Sequence, residues 1–82
     1  MKPQITDKTH AVLAILRGNP GVHGYPIIQA TGLQSGTVYP ILARLEAARL
    51  VTSTWDTETG GVPRRCYTLT EAGKRVADAK QD

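Results

Sequence analysis

The sequence contains no phenylalanine, one tryptophan and one cysteine in 82 residues. A chain this short suits a single domain over residues 1–82, and with so few aromatics its core must be aliphatic. The lone Cys66 excludes a disulfide framework. The two histidines, His10 and His23, do not stand at zinc-ligand spacing to it or to each other, so neither metal nor other cofactor is predicted. No run approaches the roughly 20 apolar residues of a membrane span, and Met1-Lys2-Pro3-Gln4 lacks the apolar stretch of a signal peptide. The expectation is a cytoplasmic protein. Catalytic constellations are also missing: no nucleophile and base, paired carboxylates or phosphate-cradling loop appear at usable spacing, and Gly60-Gly61 reads as a turn. No catalytic residue is assigned and an enzyme is not expected.

What is present is a globular composition, 40% hydrophobic and 21% charged, with a formal net charge of +3. That balance is compatible with a polyanionic partner. The positive charge is clustered: Arg64, Arg65, Lys74 and Arg75 stand against Glu71 alone over residues 64–75, whereas Asp56 and Glu58 precede them.

Thr6-Asp7 reads as a helix start, with Val12, Ile15 and Leu16 at i, i+3, i+4 and Ala11 and Leu13 widening the stripe. Arg17-Gly18-Asn19-Pro20-Gly21 ends that helix, with Gly18 as its capping glycine and a loop running to about Gly24. A second short helix fits Tyr25 to Thr31, with Pro26 in its first turn, Ile27 and Ile28 buried and Gly32 closing it. A tight connection through Leu33 leads to a third helix over about 35–48, whose Val38, Ile41, Leu42 and Leu45 fall at i, i+3, i+4, i+7. Its opposite face carries Gly36, Pro40, Ala43 and Ala47, with Thr37 and Arg44 along one flank and Tyr39 and Glu46 along the other. A merely solvated face is more often rich in Lys and Glu, so small residues suggest close approach by a partner.

Leu50 to Trp55 alternates as a strand, Arg64 to Leu69 as its partner, and the turn-rich segment between them is longer than a tight hairpin and should protrude and move. Trp55 and Tyr67 read as core aromatics, Cys66 as a small structural thiol and His23 as a loop residue satisfying backbone groups. Thr70 caps a last helix with Val76 and Ala77 as its apolar contacts. The fold class is therefore mainly α with a small β-hairpin (α+β), in the order helix, helix, helix, hairpin, helix. This is a winged helix-turn-helix.

In that layout the third helix enters the major groove of double-stranded DNA and the wing at 56–64 meets the backbone or minor groove. Candidate contacts are Gln34, Ser35, Gly36, Thr37 and Tyr39 at the helix start, with Gly36 allowing close approach, and Arg44 two turns on. Arg49 projects toward the buried side. Tyr25 at the start of the second helix and Arg64 and Arg65 at the wing base complete the set. Adjacent strand residues point to opposite faces, so the two arginines cannot present themselves identically.

Ser35-Gly36-Thr37-Val38-Tyr39-Pro40-Ile41-Leu42-Ala43-Arg44-Leu45-Glu46, followed by Leu50-Val51 and Trp55, resembles the PadR family of bacterial transcriptional regulators. His23-Gly24-Tyr25 and the segment Pro63-Arg64-Arg65-Cys66-Tyr67-Thr68-Leu69-Thr70-Glu71-Ala72-Gly73 look like two further family segments, the whole covering about residues 9–76. The resemblance implies a dimeric winged-helix DNA-binding protein, usually a repressor on a pseudo-palindromic operator released by an effector. It points to Tyr25, Ser35, Thr37, Tyr39, Arg44 and the wing arginines. Three departures stand out. Pro26 replaces a common acidic residue, Ala48-Arg49-Leu50 lacks the usual glycine before the first strand, and the chain stops at Asp82 where the family continues into a helical dimerisation region. The apolar content of the last helix fits a weak or DNA-assisted homodimer better than a tight obligate one, and a small-molecule effector is not expected. The expected function is transcriptional regulation, with an excisionase-like architectural protein and a winged-helix protein-interaction module as alternatives.

Overall fold

A computed structural model describes residues 6–57 and 63–79. The elements are α1 (Asp7–Gly18), β1 (Val22–His23), α2 (Gly24–Thr31), α3 (Ser35–Ala47), β2 (Val51–Asp56), β3 (Arg64–Leu69) and α4 (Glu71–Asp78). The expected protruding loop lies, over residues 58–62, outside the described residues. No helix among the described residues is long and apolar enough to cross a membrane.

Thr6 starts α1 by accepting a 3.2 Å hydrogen bond from the Thr9 amide. Val12, Leu13 and Leu16 are buried, so the stripe centres on Leu13 while Ile15 packs at its edge. The helix ends differently from the expectation. Gly18 is still helical, Asn19 is the cap, and its side chain donates to the Ile15 carbonyl at 2.8 Å. The glycine with positive φ in this turn is Gly21, at 76°. In α2, Ile27 is fully buried and Ile28 only half-buried, and Gly32 closes the helix at φ 72° as expected. The four apolar residues of α3 are all buried, and its Gly36, Pro40, Ala43 and Ala47 face is exposed.

The sheet has three strands in the order β1-β3-β2, all antiparallel. β1 corrects the reading of residues 19–24 as loop. Val22 pairs with Tyr67 and His23 with Cys66, an interval too short for alternation to reveal in a sequence. Val51, Tyr67 and Leu69 join the helices in one core, but Trp55 is 60% exposed. It corrects the expectation of a core aromatic: β2 extends beyond the helices, and Trp55 shares a face with Val51 but lies four residues further out.

The junction after α3 is a Schellman turn. The Leu50 amide donates to the Leu45 carbonyl at 2.9 Å and the Arg49 amide to the Glu46 carbonyl at 3.0 Å. This arrangement requires a left-handed residue, and Arg49 takes that position at φ 64°. Arg49 is exposed, not packed on the buried side. The same junction holds α4: Thr70 donates its hydroxyl to the Arg49 carbonyl and its amide to the Leu50 carbonyl, and its Oγ1 accepts the Gly73 amide. A Cβ on Gly73 would collide with the Leu50 carbonyl oxygen. On the far side, Arg17 clasps Asp78 through Nε and Nη2 at 3.0 and 3.2 Å, joining α1 to α4. Left-handed strain on a residue with a Cβ costs about 1–2 kcal/mol. Arg49→Gly is therefore expected to stabilise the protein by about 1 kcal/mol, after the entropy cost of glycine is deducted. Chemical denaturation of the two proteins checks it.

Candidate nucleic-acid interface

The outer surface of α3 is built by omission. Burial of Val38, Ile41, Leu42 and Leu45 leaves Gly36, Pro40 and Ala43 along the exposed ridge, so the backbone itself lies near the surface. Pro40 has no amide to give the Gly36 carbonyl, which leaves that oxygen outside the helical ladder on the exposed side. At the helix start Gln34 is the N-cap residue, but its side chain makes no capping bond and is exposed. Ser35 is also exposed and Thr37 half-buried. Arg44 is exposed, and its guanidinium makes no ion pair or hydrogen bond among the described residues.

The two flanks of α3 differ in their surroundings. Tyr39 and Glu46 face the sheet side. Tyr39, 45% exposed, lies against Gly24: a Cβ there would come within 2.7 Å of the Tyr39 hydroxyl and Cε1. Glu46 accepts a 2.9 Å bond from the Ser53 hydroxyl, which accepts one of 3.1 Å from Arg65 Nε. The Arg65 guanidinium also lies 4.9 Å from the Trp55 ring centroid, a cation–π contact that covers part of the exposed indole. Arg65, though exposed, is thus anchored by Ser53 and Trp55. Arg64, one residue earlier, points to the other face of the hairpin opposite Asp56 and is exposed. The expected division of the two arginines is what the strand register produces.

Between α2, α3 and the wing base runs an open cleft of about 630 Å³, lined by His23, Gly24, Tyr25, Tyr39, Pro63, Arg64, Arg65 and Tyr67. Tyr25 is 64% exposed at its rim and accepts a 3.2 Å bond from the Gln29 amide group. Tyr67 forms the floor. Its burial raises the phenol above the ordinary 10.0, with Arg65 pulling the other way, so it stays a neutral hydroxyl at neutral pH. The cleft brings together Tyr25, Tyr39, Arg64 and Arg65. Gln34, Ser35, Gly36, Thr37 and Arg44 do not line it and belong to the α3 ridge and its far flank.

The seat of Tyr39 on Gly24 and the Arg65–Ser53–Glu46 relay were not anticipated. Neither has a sequence signal, because both depend on how α2 and β2 meet α3. The contact at Gly24 yields an expectation: Gly24→Ala should displace the Tyr39 ring. It would show as changed solvent quenching of tyrosine fluorescence, with a stability loss of about 1–3 kcal/mol from overpacking.

The helix-turn-helix, the wing and the exposed ridge define the chain as a winged-helix protein of the type found in transcriptional regulators. It belongs to the transcriptional regulator PadR-like family, whose sequence profile matches residues 12–79. Among solved structures, a PadR family transcription regulator from Clostridium difficile is similar at 29% identity and TM-score 0.79, over 89% of this chain and 81% of that one. The PcaV transcriptional regulator of Streptomyces coelicolor, solved with its natural ligand, aligns at 29% identity and TM-score 0.81 over 89% of this chain. Only half of the PcaV chain is spanned. MepR of Staphylococcus aureus, solved in complex with DNA, aligns at 26% identity and TM-score 0.78 over 92% of this chain and 60% of MepR. No curated protein matches the sequence.

Proposed function

We propose that this chain is a sequence-specific DNA-binding regulator that represses transcription by occupying promoter DNA. The observation that carries the reading is the α3 ridge: a helix surface of small residues, bordered by the unpaired Arg44, with the wing arginines beyond its other flank. A major groove about 12 Å wide accepts such a helix, and the small residues let its backbone come close to the base edges. Gln34, Ser35, Gly36, Thr37 and Tyr39 lie at the reading end, and Arg44 further along can meet a guanine edge or a phosphate. Arg64 and Tyr25 reach toward the flanking backbone. Arg65 acts with its remaining N–H groups, its side chain steadied by Trp55 and Ser53. The family membership and the DNA complex of the similar MepR support the reading.

One such module covers about 600–1,000 Å² on DNA, so useful discrimination requires two copies on half-sites about one helical turn apart. The copies associate weakly or only on DNA. The protein works by binding and not by catalysis, in the cytoplasm, and the open cleft beside Tyr25 belongs to the DNA face.

Selection of duplexes from a random pool at physiological salt tests the proposal. Enrichment of an inverted repeat with half-sites about 10 base pairs apart is expected. A single asymmetric or tandem motif would favour an architectural role, and no enrichment a protein-interaction role. On the selected site, Arg44→Ala is expected to cost about 1–3 kcal/mol and relax preference at one base pair. Uniform weakening on all sequences would instead assign Arg44 to a phosphate. For Arg64→Ala the expected loss is about 0.9 in the slope of log affinity against log salt, read by titration at several salt concentrations.

A further inference from the structure

The register of the sheet places one chemistry-bearing side chain from each strand on the same face. His23 of β1 stands opposite Cys66 of β3, Cys66 stands opposite Thr54 of β2, and Asp56 lies two residues along from Thr54. His23 Nε2 is 3.1 Å from Asp56 Oδ2, and the donor atoms of His23, Asp56 and Cys66 all lie within 4.8 Å of one another. All three side chains are half-buried. We propose that these three residues form a binding site for a divalent cation of the zinc class.

The donor set argues for that class. An imidazole nitrogen, a thiolate and a carboxylate oxygen suit Zn2+ and disfavour Mg2+ or Ca2+, which take oxygen ligands. Spacing is nearly right already. A tetrahedral ion with bonds of about 2.0–2.3 Å holds its ligand atoms about 3.3–3.7 Å apart. The His23–Asp56 pair, at 3.1 Å, sits close to that spacing, and Cys66 Sγ, within 4.8 Å of both partners, has at most about 1 Å to close. Three protein ligands leave a fourth position for water. A shallow cleft of about 370 Å³, lined by Thr54, Trp55, Asp56, Thr57 and Cys66, gives the ion a path from solvent. On binding, the Cys66 thiol gives its proton to buffer, and His23 presents Nε2 as a lone pair with its proton on Nδ1.

Such an ion would tie β1, from which α2 begins, to both strands of the wing, and so fix the wing beside Tyr25. The absence of a zinc motif in the sequence is no obstacle, because spacing motifs describe ligands from one loop or helix and these come from three strands. The site adjoins the cleft through His23, and Arg64 stands opposite Asp56 on the same face, but the proposed ion does not depend on DNA binding, and its test is made on free protein.

The test titrates the metal-free 82-residue chain, without an affinity tag, with Zn2+ in a calorimeter and with Co2+ in a spectrophotometer. Expected are one bound equivalent, an intense thiolate-to-cobalt charge-transfer band, and a rise in melting temperature with Zn2+. Cys66→Ser should abolish the band and weaken Zn2+ binding by more than about 100-fold, since loss of a direct ligand exceeds loss of a supporting one. His23→Gln and Asp56→Asn should also weaken it, with the far-ultraviolet circular dichroism of the metal-free protein unchanged. They carry the test if the serine variant does not fold. Tight binding insensitive to all three substitutions would place the metal elsewhere, and no binding at micromolar Zn2+ would leave His23 and Asp56 as a hydrogen-bonded pair alone. Either result overturns the proposal, and neither bears on DNA binding.

Discussion

The position of the wing depends on the backbone at Arg49-Leu50. The Leu50 amide closes the end of α3, and its carbonyl accepts the Thr70 amide and packs against Gly73 of α4. Both ends of the hairpin are therefore fixed within a few ångströms of each other, one where β2 leaves α3 and the other where β3 enters α4. Thr70 joins the two by donating to Arg49 while capping α4. A hairpin held at one end is a lever, and its direction relative to α3 is set by this turn. That explains how a strained residue can persist: the φ of 64° at Arg49 is over-determined by hydrogen bonds to Glu46, Leu45 and Thr70.

From that anchor outward, the inner face of the hairpin changes character in steps. Val51, Leu69 and Tyr67 are core, the half-buried Ser53 opposite Tyr67 marks the transition, and Trp55 and Arg65 are beyond the helices. The Glu46–Ser53–Arg65 chain ties the middle of the lever back to α3, and the stacking of Arg65 on Trp55 stiffens its outer part. A guanidinium with partners on two sides loses less rotamer freedom when it meets a ligand. The opposite face carries a half-buried trio where β1 pairs with β3. There Cys66 and Asp56 meet His23 of β1, and the tie runs to the start of α2.

Elements whose stability is local were legible in the sequence. The four apolar residues of α3 have a helical period, and Thr6 and Thr70 cap by chemistry confined to three residues. Gly32 is legible for the same reason. Legibility failed where a distant segment decides. Two residues form β1 only because β3 offers an unpaired edge, and Trp55 alternates like a core residue but lies past the end of the layer that would cover it. Gly18 reads as the capping glycine of α1, but the helix runs through it to Asn19, whose side chain bonds the Ile15 carbonyl, and the positive φ falls at Gly21. At Arg49 the preference of the residue argued against a left-handed cap, and the tertiary bonds to Thr70 prevailed. The candidate interface follows the same division. The α3 ridge was readable from periodicity, whereas the seat of Tyr39 and the engagement of Arg65 needed the packed structure.

Under the proposed DNA reading, the small charge excess of the chain requires contacts to shape and base edges as well as to phosphates. The formal excess is only +3, and the cations are unequally available. Arg17 is clasped by Asp78, Lys74 lies 3.4 Å from Glu71, and Arg65 is engaged by Ser53 and Trp55. On the α3 ridge and the wing the exposed guanidiniums are Arg44 and Arg64, while Lys8, Arg49 and Arg75 are exposed elsewhere on the described surface. Two or three phosphate contacts give a protein of this size little hold on DNA at physiological salt. Close approach of an uncharged helix ridge then matters more, because contacts to base edges at short range supply discrimination that a weak field cannot. A second copy bound to an adjacent half-site doubles those contacts without adding charge to either chain, so a pair of weakly associating modules can be selective where a single one is not.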